Sequence, residues 1–287
     1  MDRTARYSLW MFALLLALGE TANSDVLEPF DGIAGEPRSG ALAFFPASWD
    51  YPIYADRKFG DVDVDGRITG AALKGGYFFP KLGDRYSWGA IFSIPFFEIA
   101  ADGSSTTTGF ADPGLGVAFW PYEDAEQALY LSLWWVTYFP IGKYDEKNPD
   151  TSPGIDAFTH VPAFEVGWYP GRFIFDGLVQ YWYFGESDKL RIDNEDYVEL
   201  DLVFSWSVTE KFIPSVHATA KWETEDRSID GSRVPGTRGY VYSLGPKVSY
   251  FLRENIMLSL TWQHDLKAEN RLEGDWVYAR IAWGFGP

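Results

Sequence analysis

The chain has 287 residues, no cysteine and a formal charge of −17, and aromatic residues make up 18% of it. It can form no disulfide and offer no thiolate to a metal or a substrate, and its charge repels nucleic-acid phosphates. No stretch approaches the roughly 20 apolar residues of a membrane-spanning helix, so so many aromatics in so polar a chain suit a set of short amphipathic strands.

Residues 1–24 read as a signal peptide. Arg3 and Arg6 precede an apolar run over 8–18, and Ala22-Asn23-Ser24 supplies small residues for cleavage. Export follows, with residues 25–40 expected as a periplasmic N-terminal segment and 41–287 as the folded domain.

From residue 41 onward, alternating stretches are separated by turn-rich ones, giving about twelve candidate strands. The first, 41–54, is the weakest, because Pro46 and Pro52 interrupt it and suggest an edge-like closure. "DVDVDG" (61–66) opens like a calcium loop, but Ala72 stands where its bidentate Glu belongs. Asp61, Asp63 and Asp65 are therefore only weak metal candidates, and no metal or cofactor is expected. "PGLG" (113–116) is followed by no helix that could receive a phosphate.

"LYLSLWWVTYF" (129–139) sets Leu129, Leu131, Leu133, Trp135 and Phe139 against Tyr130, Ser132, Trp134 and Tyr138. "VELDLVFSW" (198–206) places Val198, Leu200, Leu202, Phe204 and Trp206 on one face and Glu199, Asp201, Val203 and Ser205 on the other. Segments 212–222, 240–250 and 255–265 repeat the scheme, each near the 9 to 11 residues of a tilted membrane strand. Trp168, Tyr169, Tyr181, Trp182, Tyr183, Trp206 and Trp222 gather near strand ends, as an interfacial girdle would.

Connections alternate in length. Short ones at 80–85, 122–127, 169–172, 208–211 and 252–255 separate long ones at 56–67, 100–109, 142–157, 185–196, 224–239 and 266–275. A soluble sandwich has no reason for this. The pattern predicts an all-β transmembrane antiparallel up-and-down β-barrel of about 12 strands in the cell outer membrane, with short periplasmic turns and long extracellular loops.

With the aliphatic faces toward lipid, the lumen receives the candidate permeation residues Lys74, Glu165, Asp176, Gln180, Glu199, Asp201, His217, Lys221, Lys247 and Arg280, together with Glu223, Gln263, Asp265 and Tyr278. Their mixed signs predict either a lumen-filling ion-pair network or a selectivity constriction. A turn centred near Glu210 brings Glu199 beside Lys221, and a two-residue turn at Pro170-Gly171 brings Glu165 opposite Asp176. No catalytic residues are expected. His160 and His264 fall on apolar faces without a serine partner, and Ser215 and His217, two apart on one strand, are too distant for a direct hydrogen bond.

"FADPGLGVAFW" (110–120), "FPIGKYD" (139–145), "SLGPKVSYF" (243–251) and "KAENRLEGDWVYARIAW" (267–283) together resemble the outer-membrane family named for the meta-pathway of phenol degradation. The resemblance runs from about Gly60 onward, although the chain closes on Gly286-Pro287 after Phe285. It implies a passive channel for small hydrophobic or aromatic compounds and supplies no catalytic residues. The expected partners are such a solute, outer-membrane lipid and lipopolysaccharide, with the chain a monomer that does not bind nucleic acid. The alternatives are an outer-membrane lipid or ester hydrolase and a closed structural or surface-interaction barrel.

Overall fold

The computed structural model describes residues 27–286 apart from 30, 58, 59, 84, 102–104 and 188. The signal-peptide segment lies outside the described residues. Twelve long strands form the wall: β1 (Gly40–Asp56), β2 (Gly60–Phe78), β3 (Ser87–Ala101), β4 (Gly114–Asp124), β5 (Leu129–Tyr138), β6 (Thr159–Trp168), β7 (Phe173–Phe184), β8 (Tyr197–Trp206), β9 (Phe212–Glu223), β10 (Tyr240–Arg253), β11 (Ile256–Glu269) and β12 (Arg271–Phe285). Each pairs antiparallel with its neighbours, and β1 pairs with both β2 and β12, so the sheet closes on itself. Closure leaves no open edge among the wall strands, as hydrocarbon surroundings demand.

β8 shows which way the faces point. Phe204 is 53% exposed, whereas Glu199 and Asp201 are 1% exposed. The aliphatic and aromatic row faces outward to lipid and the acids face the interior. The same polarity holds on β11, where Leu260 and Trp262 are exposed while Thr261 and Gln263 are buried.

At four places the wall strands depart from the pattern expected of the sequence. β1 is no weak edge: it is laddered on both sides, and the chain absorbs Pro52 in a bulge between Asp50 and Ile53. The stretch 60–66 is strand rather than loop, because Val62 and Val64 turn inward onto Trp49, Tyr51 and Tyr54. Asp61, Asp63 and Asp65 thus stand exposed along a ladder, about 7 Å apart by strand rise, and no group of three metal-ligating side chains occurs among the described residues. The expected loop at 266–275 consists largely of two strand arms. Beyond the His264–Asp275 pair, β11 continues along β10 and β12 along β1.

The fourth of these places is the β6–β7 hairpin. Phe173 N–H donates to the carbonyl of Pro170 (3.2 Å), and Gly171, with φ 67°, is the first central residue of the turn. A positive φ at that position suits the right-handed twist of a hairpin better than proline there would. The register therefore moves by two residues, so Glu165 faces Leu178 and Asp176 faces Gly167.

The turns 125–128, 169–172, 207–211 and 254–255 lie at the end that also holds Gly40 and Phe285, which faces the periplasm in barrels of this type. At the opposite end, long connections fold inward over the mouth. Asp112 accepts hydrogen bonds from Gly142 N–H and Ile155 N–H, both at 2.8 Å, and so fastens the 139–158 connection.

Candidate functional site in the barrel lumen

Residues 27–39, Phe30 apart, belong to the segment expected as periplasmic and enter the barrel from the short-turn end. Glu28 and Lys247 form an ion pair at 2.8 Å with no exposed side-chain surface on either partner. Ser259 Oγ donates to Glu28 (2.9 Å), and Lys247 Nζ also donates to the Leu27 carbonyl. Asp31 meets Arg280 at 3.3 Å, and Trp120 Nε1–H donates to the Gly32 carbonyl at 2.9 Å. Gly32 presses so near the wall that a Cβ there would lie 2.9 Å from the Gly167 Cα, so the segment crosses at a point only glycine can occupy.

The wall around this segment has two characters. On β6 to β12 the inward face carries a band of buried, mutually bonded polar side chains among apolar ones such as Leu178 and Val203. Glu165 accepts from Ser132 Oγ (3.0 Å), Asp176 from Tyr169 OH (2.5 Å), and Glu199 lies 3.5 Å from Lys221 across the β8–β9 ladder. Gln180 is buried beside Glu199 in the β7–β8 register.

Asp201 meets His217 Nε2 at 3.1 Å and accepts from Thr219 Oγ1 at 2.7 Å. Tyr278 OH lies 2.7 Å from His217 Nδ1 and donates to Gln263 (3.1 Å), whose amide returns to Thr219 (3.0 Å). The five side chains close a ring. The acid, histidine, hydroxyls and amide so arranged satisfy one another in a buried position, where unpaired charge is costly. Ser215 bonds Ser205 at 2.7 Å rather than His217, and His160 bonds Thr137 at 3.0 Å.

On β1 to β5 the inward face is aromatic. A cavity of about 290 Å³ lies between this wall and the inserted segment, lined by Phe45, Phe78, Trp120, Trp134 and Tyr138 along with Ile33, Leu27 and Leu178. Lys74 and Arg280 also line it, and each packs over the Phe45 ring, at 5.4 and 5.3 Å from its centroid. Toward the outer mouth, Tyr138, Trp182 and Tyr197 stack at 5.6 and 5.5 Å, with Ile155 and Ala157 of the long connection packed on them.

Several of these residues escaped the sequence reading. Trp182 and Tyr169, assigned to the lipid girdle, are buried inside, whereas Trp168, Tyr181, Tyr183 and Trp206 are exposed on the outer surface. Alternation along β7 carried the signal, since Tyr181 and Tyr183 flank Trp182 on the opposite face. Trp134 and Tyr138 already shared the face of Ser132, so strand parity alone marks them as lumenal. Glu28 and Asp31 lie outside any periodic segment, and nothing in the pattern assigns them to the interior.

A closed twelve-stranded barrel with a lipid-facing apolar belt, short turns at one end and a polar interior is an outer-membrane protein. Residues 52–281 match the family model described as "Putative MetA-pathway of phenol degradation", and the chain belongs to that family. The fold is similar to the COG4313 outer membrane channel from Pseudomonas putida F1, with a TM-score of 0.82 at 16% identity over 91% of this chain and 100% of the other. The transport unit of the Escherichia coli autotransporter AIDA-I aligns with a TM-score of 0.55 at 11% identity, covering 98% and 97% of the two chains. The NanC porin aligns with a TM-score of 0.50 at 10% identity, covering 86% and 100%. These neighbours are a channel, a transport unit and a porin rather than enzymes. Among curated proteins no match is found by sequence.

Proposed function

We propose that this protein is a passive, monomeric outer-membrane channel for small hydrophobic or aromatic compounds, seated in lipid and lipopolysaccharide and without catalytic activity. The carrying observation is the aromatic cavity inside the closed wall. Phe45, Phe78, Trp120, Trp134 and Tyr138 offer apolar ring faces where a purely hydrophilic pore would offer charge. The polar arc on β6 to β12 serves in this reading as a satisfied, non-adhesive wall rather than as a relay. The family's description in terms of phenol degradation supports an aromatic solute.

A hydrolase reading lacks a bonded Ser-His pair among the described residues. A closed structural barrel has one observation in its favour, the buried Glu28–Lys247 pair that holds the inserted segment in place. Uptake measured in a deletion strain separates the readings. Complementation with the intact gene restores growth on, or accumulation of, small arenes at limiting concentration, and equal uptake with and without the protein would refute the channel.

A further inference from the structure

The cavity is aromatic, but it is not neutral. Its ionisable lining consists of two cations, Lys74 and Arg280, against one carboxylate, Asp31. In a chain of formal charge −17 this pocket reverses the prevailing sign.

Lys74 on β2 and Arg280 on β12 project inward from the two strands that flank β1, and the Phe45 ring lies under both. Asp31 bonds one nitrogen of Arg280, while the buried Nε has no hydrogen-bond partner among the described residues. A guanidinium carries five N–H donors, so one bond to Asp31 leaves Arg280 further donors for a carboxylate in the cavity that it lines. An apolar cavity of about 150 Å³ admits benzene, so a space of about 290 Å³ accommodates a substituted ring.

We infer that the lumenal cavity is a binding site for a small aromatic carboxylate, with its ring among Phe45, Trp120 and Trp134 and its carboxylate held by Lys74 and Arg280. This rests on the channel reading for its biological sense, but it makes a separate prediction about affinity.

The test uses full-length protein in detergent, titrated calorimetrically with benzoate and with benzyl alcohol, its neutral counterpart. Benzoate binds at least about tenfold more tightly, as expected for a carboxylate beside two partly desolvated cations. Lys74→Gln reduces that preference toward unity by weakening benzoate binding more than benzyl alcohol binding. The pair Asp31→Asn with Arg280→Gln does the same without leaving Asp31 unpartnered, and heat-modifiable electrophoretic mobility verifies that each variant is folded.

Equal affinity for the two ligands, or a preference that survives both sets of substitutions, overturns the site. Proteoliposomes tell the two readings apart. Benzoate binding without protein-dependent entry of any arene refutes the channel and keeps the site. Protein-dependent entry without a carboxylate preference in binding refutes the site and keeps the channel.

Discussion

Replacing Lys247 with methionine tests how the inserted segment is held in the lumen. The Glu28–Lys247 pair at 2.8 Å has a gross attraction of about 6 kcal/mol at an effective dielectric near 20. Much of that offsets desolvation. Removing one partner from a buried pair nevertheless costs about 3–5 kcal/mol, because the other charge stays buried and uncompensated.

The other anchors of the segment are weaker. The Asp31–Arg280 contact is partly exposed, and the hydrogen bonds from Trp120 to Gly32 and from Gly32 N–H to Asp176 (3.4 Å) contribute about 1 kcal/mol each. The loss therefore dominates, and even its lower end of about 3 kcal/mol shifts the inserted-to-released equilibrium by about two orders of magnitude.

In planar bilayers, Lys247→Met gives a higher single-channel conductance than the parent, and the double variant Glu28→Gln with Lys247→Met returns toward the parent level. Because the chain has no cysteine, Leu27→Cys supplies a unique thiol. It is protected from a membrane-impermeant reagent in the parent background and labelled rapidly in Lys247→Met. Unchanged conductance together with unchanged thiol protection would refute the reasoning.

Other outcomes follow from the same geometry. Leu260→Arg, on the lipid face beside Val248 and Ala279, destabilises the barrel by about 2–4 kcal/mol if it sits near the bilayer midplane, read as a lower urea midpoint for folding into liposomes. Asp112→Ala strands two backbone N–H groups and costs about 2–4 kcal/mol in fastening the 139–158 connection, seen as faster proteolysis there with the barrel intact. Asp145 lies in that connection. Asn148 and the Lys147 N–H hold its carboxyl below the usual value of 3.8, so its contribution to local order is present above that pH and is lost as the pH falls through the depressed value. Hydrogen exchange at Lys147 checks it, and Asp145→Ala removes the pH dependence.

The sequence by itself determined the strand parity, the inside-out polarity and a count of about twelve strands. Each rests on local facts: side chains alternate with period two, and a charge such as Asp201 cannot face hydrocarbon. Local pairing across a short turn was legible where the turn chemistry was plain, as with Glu199 and Lys221. It failed at Pro170-Gly171, where two turn registers share one motif and the twist of the hairpin chose between them. Asp61–Asp65 has the carboxylate spacing of a loop, and Val62 and Val64 become strand-forming only once Trp49 and Tyr54 stand opposite.

Only the tertiary structure decided what occupies the interior. Closure brings β12 beside β1, so Arg280, Phe45 and Lys74 meet across a seam joining the two ends of the barrel chain. Glu28 finds Lys247 more than two hundred residues away. Periodicity reports which side of a wall a residue faces. It carries no information about which distant residue shares the enclosed space, and in the proposed channel that space is the solute's route.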